Sequence, residues 1–141
     1  MCGILAIVDQ AADPTMGARW PYARTHADRA RVLLDRLQHR GPDAVGSLAL
    51  DHAWLGHRRL AIVDPHGSRQ PFLIAGVACT ANGEIYNHHD LRAQVGMGGI
   101  PGSDCAVIGP AWKRFGDAVP EHLDGQFAFV CVDEATGGWI A

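Results

Sequence analysis

The chain has 141 residues, 48% of them hydrophobic and 19% charged, which suits one soluble globular domain with a sizeable core. A formal net charge of −3 gives no footprint for nucleic acid or an anionic membrane surface. The four cysteines, Cys2, Cys79, Cys105 and Cys131, form no C-x-x-C pair, and the eight histidines show no metal-ligand spacing, which argues against a zinc site and for free thiols in a reducing cytoplasm.

The chain opens on a continuous apolar run, Gly3 to Val8, that reads as a buried strand. It stops at Asp9 and has no basic leader, so it does not read as a secretory signal, and no apolar run is long enough to span a membrane. Ala11 to Pro21 reads as loop. Thr25, three residues before Asp28, has the pattern of a helix cap. Ala30, Leu33, Leu34 and Leu37 then recur on one helical face, His39 and Arg40 fall in the last turn, and Gly41-Pro42 stops the helix. Gly46 to Leu50 and Ala53 to His57 predict a strand pair turning at Asp51-His52, with Arg59 to Val63 continuing extended to a turn at Asp64–Gly67.

Phe72 to Ile74 and Val77 to Ala81 are strand candidates around Gly76. Asn82-Gly83, taken alone, signals a hairpin turn. A second helix starts near Asn87, carries Leu91 and Val95 and stops near Gly96. Met97 to Gly102 is glycine-rich loop. Ser103 can cap a third helix with Ile108, Ala111, Trp112 and Phe115 on one face; Pro110 should kink it or push its start later. A helical turn at Val119 to Leu123, a turn at Asp124-Gly125 and a strand from Gln126 to Asp133 follow. A final strand begins at Trp139. With no internal repeat and no linker, the pattern predicts one domain of sheets packed under helices.

The second residue carries the chemistry. Removal of Met1 leaves Cys2 with a thiol and a free α-amine on one carbon, with reference pKa values of roughly 8.5 and about 7.7 to 8.0. Passing the thiol proton to the amine costs only on the order of 1 kcal/mol, so one residue supplies nucleophile and general base. Standing alone, Cys2 reads more simply as a small buried hydrophobe at a strand start. The remainder of the sequence reverses that.

Met1-Cys2-Gly3-Ile4, Gln38-His39-Arg40-Gly41-Pro42-Asp43, Gly56-His57-Arg58-Arg59-Leu60, Gln70-Pro71, Asn82-Gly83-Glu84-Ile85-Tyr86-Asn87-His88, Ser103-Asp104-Cys105 and Leu123-Asp124-Gly125 occur in series. Together they resemble the glutaminase domain of class II glutamine amidotransferases, in its asparagine synthetase branch. The resemblance implies an α+β fold, the N-terminal-nucleophile hydrolase sandwich of two antiparallel sheets between helix layers. It implies that residues 1–141 are an incomplete amidotransferase domain, with further strands and an ATP-binding synthetase domain missing at the C-terminus. Glutamine would be hydrolysed through a Cys2 thioester, with Asn82 and Gly83 as the oxyanion hole. Arg59 would grip the substrate α-carboxylate and Asp104 the α-ammonium, helped by Glu84 and by main-chain carbonyls near Ile62 and Val63.

Taken singly, Asn82-Gly83 reads as a plain turn, Arg59 as a solvated strand end and Asp104 as a helix N-terminal charge. Arg40 reads as structural rather than catalytic. The sequence departs from the family pattern at Ala106, where an acidic residue is usual, and at Gly109-Pro110. No metal or cofactor is expected in this chain; ATP and magnesium belong to the missing domain. The expected partners are L-glutamine, a synthetase domain or subunit, and a possible second copy. The alternatives are a non-catalytic module on the same fold, or an amidohydrolase or amidotransferase with another acceptor.

Overall fold

The apolar opening run is strand β1, Gly3–Val8. In this computed structural model residues 2–9, 26–61, 69–100 and 102–141 are described. Strand β1 pairs antiparallel with β3 (Ala53–Arg59), from Gly3↔Arg58 to Val8↔Ala53, and β2 (Ala44–Ala49) pairs with the other side of β3. The β2–β3 connection turns at Asp51-His52, where the sequence predicts it. As the central strand, β3 is covered on both faces. Trp54 packs with Ala30 and Leu34 on one side, while Leu55 packs with Ala78 and Val132 on the other. Strict alternation along the strand sends neighbours to opposite faces.

The second sheet has the order β4 (Phe72–Ile74), β5 (Val77–Ile85), β6 (Gly125–Asp133) and β7 (Trp139–Ile140), all antiparallel. Here the local hairpin signal fails. Strand β5 runs straight through Asn82-Gly83, which pair with Ala128 and Phe127 of β6. The cause is tertiary: β6 offers a partner for all nine residues of β5, and ladder bonds along that length outweigh a dipeptide turn preference. The hairpin turn lies earlier, at Ala75-Gly76, both with positive φ.

Helix α1 spans Ala27–Asp35. It ends earlier than the periodicity predicts, and residues 36–40 wind on through bonds three residues back, such as Leu37 N–H to Leu34 O and Arg40 N–H to Leu37 O. Ala30 and Leu34 are buried as predicted, Leu37 packs with them, and Leu33 lies at the edge of the face. The Thr25 cap falls outside the described residues. Helix α2 is His88–Gln94. The side chain of Asn87, just before it, does not cap it but joins the chain further on, donating to the His122 carbonyl and accepting from Asp124 N–H.

Ser103 caps a 3₁₀ turn, Asp104–Val107, accepting from Cys105 N–H at 3.2 Å. Helix α3, Ile108–Phe115, follows. Pro110 is its third residue, so the N–H it lacks is one that has no intrahelical partner in a first turn anyway. The helix starts late rather than kinking. A second 3₁₀ turn (Gly116–Ala118) leads to α4 (Val119–His122).

These elements stack in four layers. Helix α1 covers the outer face of the first sheet through Ala30, Leu34 and Trp54. Leu50, Ala53, Leu55, Ala78 and Val132 fill the space between the sheets. Leu91, Val107, Ile108 and Ala111 cover the outer face of the second sheet, against Val77, Cys79 and Cys131. The order helix, sheet, sheet, helix is the sandwich that the resemblance implies.

Candidate active site

The Cys2 thiol rests on the main chain at the far end of β3. Its Sγ accepts from Leu60 N–H at 3.4 Å and lies 3.8 Å from the Leu60 carbonyl. The residue's own carbonyl accepts from Arg40 Nε at 3.0 Å. Arg40 thus holds the main chain of Cys2, a structural part in keeping with its sequence reading. Its neighbours build the same corner. Gly41 crosses the chain at Arg58, where a Cβ would stand 2.3 Å from the Arg58 carbonyl. Asp43 accepts from Ala61 N–H at 2.7 Å, fixing the exit from β3.

The opposite wall is the edge of β5. Strand β4 pairs with β5 only as far as Phe72↔Cys79. Alternate residues of an antiparallel strand present their N–H and C=O to the same side, so Ala81, Gly83 and Ile85 present theirs where β4 no longer reaches. Side chains take over. Gln70 Oε1 accepts from Ala81 N–H at 2.7 Å. Cys105 Sγ donates to the Gly83 carbonyl at 3.5 Å, and Asp104 Oδ2 accepts from Ile85 N–H at 2.6 Å. By the same alternation the Gly83 N–H is presented to the cleft beside the Asn82 side chain. The close approach of β6 explains the glycine: a Cβ there would stand 2.1 Å from the Gln126 carbonyl oxygen.

Asp104 is aimed from the helix layer. Its Oδ1 accepts from Ser103 Oγ at 3.2 Å and its Oδ2 lies 3.8 Å from the Cys105 thiol, and the carboxylate keeps lone pairs for a further donor. The loop before it is pinned by Arg92, 5% exposed, which donates to the carbonyls of Ile100, Gly102 and Ser103 at 2.6, 3.1 and 2.6 Å. A buried guanidinium of this kind is satisfied by carbonyl oxygens rather than by a carboxylate.

Cys2, Arg59, Asn82, Gly83, Glu84 and Asp104 line one cleft of about 100 Å³ between the sheets and the helix layer. The sequence-predicted contributions of Ile62 and Val63 fall outside the described residues. Ala106 is buried in the 3₁₀ turn, and Pro110 lies beyond it, so neither keeps Asp104 from lining the cleft.

Other residues of the cleft escaped the sequence reading as site residues, among them Gln70, His57 and Cys105. His57 is 2% exposed. Burial, with a smaller push from the Arg59 charge against the pull of the Ala81 main chain, lowers its pKa to about 4, so the imidazole is neutral. Its Nε2 has no hydrogen-bond partner among the described residues. The signal for His57 was available, since it shares the inward face of β3 with Leu55 at period two. Burial, together with the adjacent Asp104 carboxylate, pushes the Cys105 thiol up to about 12. Of the two thiols in the cleft, Cys105 stays protonated.

The chain is similar to the asparagine synthetase (glutamine-hydrolyzing) of Triphysaria versicolor, 41% identical over 146 residues that cover all of this chain and 23% of the relative. It is similar to asparagine synthetase (glutamine-hydrolyzing) 2 of Oryza sativa subsp. japonica at 40% identity, with the same coverage, and to synthetase 3 of Arabidopsis thaliana at 39%. The chain thus spans about a quarter of the length of these relatives. The glutamine amidotransferase domain model matches residues 1–140, and the chain belongs to that family.

Proposed function

We propose that the chain hydrolyses L-glutamine to glutamate and ammonia, as the glutaminase part of an enzyme that uses the ammonia to make asparagine. Family membership and similarity to glutamine-hydrolysing synthetases support catalysis of glutamine hydrolysis in general. The observation that carries the specific reading is that the Cys2 thiol, the Asn82 amide, Gly83, the Arg59 guanidinium and the Glu84 and Asp104 carboxylates line one cleft.

With Met1 removed, the Cys2 thiol passes its proton to the α-amine and sulfur attacks the side-chain carbonyl carbon of glutamine. The C–S bond forms as the carbonyl π pair moves onto oxygen, where Asn82 Nδ2 and Gly83 N–H donate. A donor of this kind contributes roughly 2.7 to 4 kcal/mol in the transition state. Collapse of the intermediate, with the amine proton delivered to nitrogen, expels ammonia and leaves a thioester. Water then releases glutamate and restores the thiol. Arg59 suits the α-carboxylate, where a planar fork of donors matches two oxygens, and Asp104, with Glu84, suits the α-ammonium. Reading both charged ends favours free glutamine over amides within a peptide.

ATP-dependent activation of aspartate requires a serine- and glycine-rich phosphate loop, which this sequence lacks. We assign that step to a synthetase domain or subunit outside this chain, and with it a cytoplasmic setting.

The test is ammonia release from L-glutamine together with intact mass. Wild-type protein should have lost Met1 and release ammonia; Cys2→Ala should fall by more than about a thousandfold. Activity in material that retains Met1, or undiminished activity in Cys2→Ala, sinks the reading. A wild-type protein that is folded and silent favours the non-catalytic module.

A further inference from the structure

The distance from nucleophile to oxyanion donors is set across the gap between the two sheets. Cys2 and Arg59 belong to the first sheet; Asn82 and Gly83 belong to the second. Among the described residues, Thr80 Oγ1 donates to the Gly56 carbonyl at 3.4 Å in the buried interior, and the Ala81 main chain is a hydrogen-bond partner of His57 on β3. A further bond across the gap belongs to Gln70. Its Oε1 accepts from Ala81 N–H at 2.7 Å, one residue before Asn82.

That bond also settles which way the carboxamide points. A main-chain N–H only donates, so the oxygen faces the strand. The other end of residue 70 is anchored in the first sheet. A Cβ at Gly46 of β2 would stand 2.1 Å from the Gln70 carbonyl oxygen, so the two main chains are pressed together. Residue 70 therefore touches one sheet with its backbone and the other with its side chain. It does so just where β5 has outrun β4 and is paired on its β6 side alone.

We propose that Gln70 is a positioning residue for the oxyanion hole, bracing the Ala81–Gly83 segment at a fixed distance from the Cys2 sulfur. The role rests on the glutaminase reading above. Without the Oε1 acceptor the Ala81 N–H loses its partner, and the open side of β5 loses the contact that sets its spacing from Gly46 of the first sheet. A misplacement of about 1 Å costs on the order of a hundredfold in rate. The Arg59 carbonyl accepts from Asp43 N–H and the Asp104 carboxylate accepts from Ser103 Oγ, so recognition of the substrate's charged ends has supports apart from the brace.

The test compares Gln70→Met, similar in size but without the acceptor, with Gln70→Glu, which keeps an oxygen in the same place. Ammonia-release kinetics and amide exchange at Ala81 are both read. Gln70→Met should lose about 10- to 100-fold in kcat with KM within about threefold of wild type. Gln70→Glu should stay within about fivefold in kcat. The Ala81 amide should exchange at least about 30-fold faster in Gln70→Met and keep its protection in Gln70→Glu.

Gln70→Asn, one methylene too short to reach, should match Gln70→Met and replaces it if that variant does not fold. Unchanged kcat in Gln70→Met beside an active wild type overturns the proposal, as does an equal loss in Gln70→Glu or a rise in KM alone. If wild type releases no ammonia, the glutaminase reading fails and the brace is judged by exchange alone. Unchanged protection of the Ala81 amide in Gln70→Met then overturns it.

Discussion

Two side chains in the cleft, His57 and Cys105, are kept uncharged by the same cause. Burial costs the charged form more than the neutral one, so it lowers a histidine and raises a cysteine. For Cys105 the Asp104 carboxylate adds to this, and the thiol serves as a donor to the Gly83 carbonyl rather than as a second nucleophile. For His57 the consequence is a pH-dependent stability. Its folded pKa of about 4 lies below the unfolded value near 6.5. Between those values the unfolded chain binds more protons than the folded one. Stability is therefore complete above about pH 6.5 and falls as pH drops toward 4, by on the order of 3 kcal/mol at most. In urea titrations, His57→Leu should remove that part of the slope. The stability difference between wild type and variant should shift in the variant's favour between pH 7 and pH 4.5. A constant difference over that range would mean that His57 does not titrate in this way.

At the level of elements, the proposed oxyanion hole depends on a strand that cannot tolerate a side chain at one position. Gly83→Ala would place a methyl group 2.1 Å from the Gln126 carbonyl oxygen and 2.7 Å from the Phe127 Cα. Both are main-chain atoms of β6, which cannot move without breaking the pair. The substitution should cost about 1 to 3 kcal/mol in urea denaturation. It should also depress ammonia release beyond what that loss of stability explains, because the Gly83 N–H moves with the strand. Full activity in Gly83→Ala would remove Gly83 from the oxyanion hole.

Much of this was legible in the sequence. The apolar run at Gly3–Val8, the strand from Ala53 to His57, the period of Ala30 and Leu34, the Ser103 cap and the place of Pro110 in the first turn of its helix follow from local chemistry. What was not legible depends on partners distant in the chain. Asn82-Gly83 reads as a turn until β6 is laid beside it. Gln70 becomes informative only once β4 is seen to stop at Phe72 and leave Ala81 unsupported. Arg92 matters because three carbonyls from a loop about ten residues away converge on it, and no spacing rule predicts such convergence.

Across the whole molecule, the cleft has no existence apart from the packing of its layers. In the proposed mechanism the nucleophile comes from the start of the first sheet, the oxyanion donors from the second, and the ammonium partner from the helix layer over it. No single layer carries a subset able to do the chemistry. The apolar filling between the sheets, Leu50, Ala53, Leu55, Ala78 and Val132, is therefore as necessary to catalysis as the polar residues, though it touches no substrate. Leu55 is fully buried at its centre, and Leu55→Ala should cost about 2 to 5 kcal/mol. If the layers come apart cooperatively, ammonia release and far-ultraviolet ellipticity should be lost at the same urea concentration in wild type. Both midpoints should fall together in Leu55→Ala. The activity per folded molecule, measured well below the transition, should be unchanged, since a cavity between the sheets leaves the Gln70 and Arg40 contacts in place. Activity lost well before ellipticity in wild type would mean that the cleft opens as a local unit, and that the packing between the sheets does not hold its two walls together.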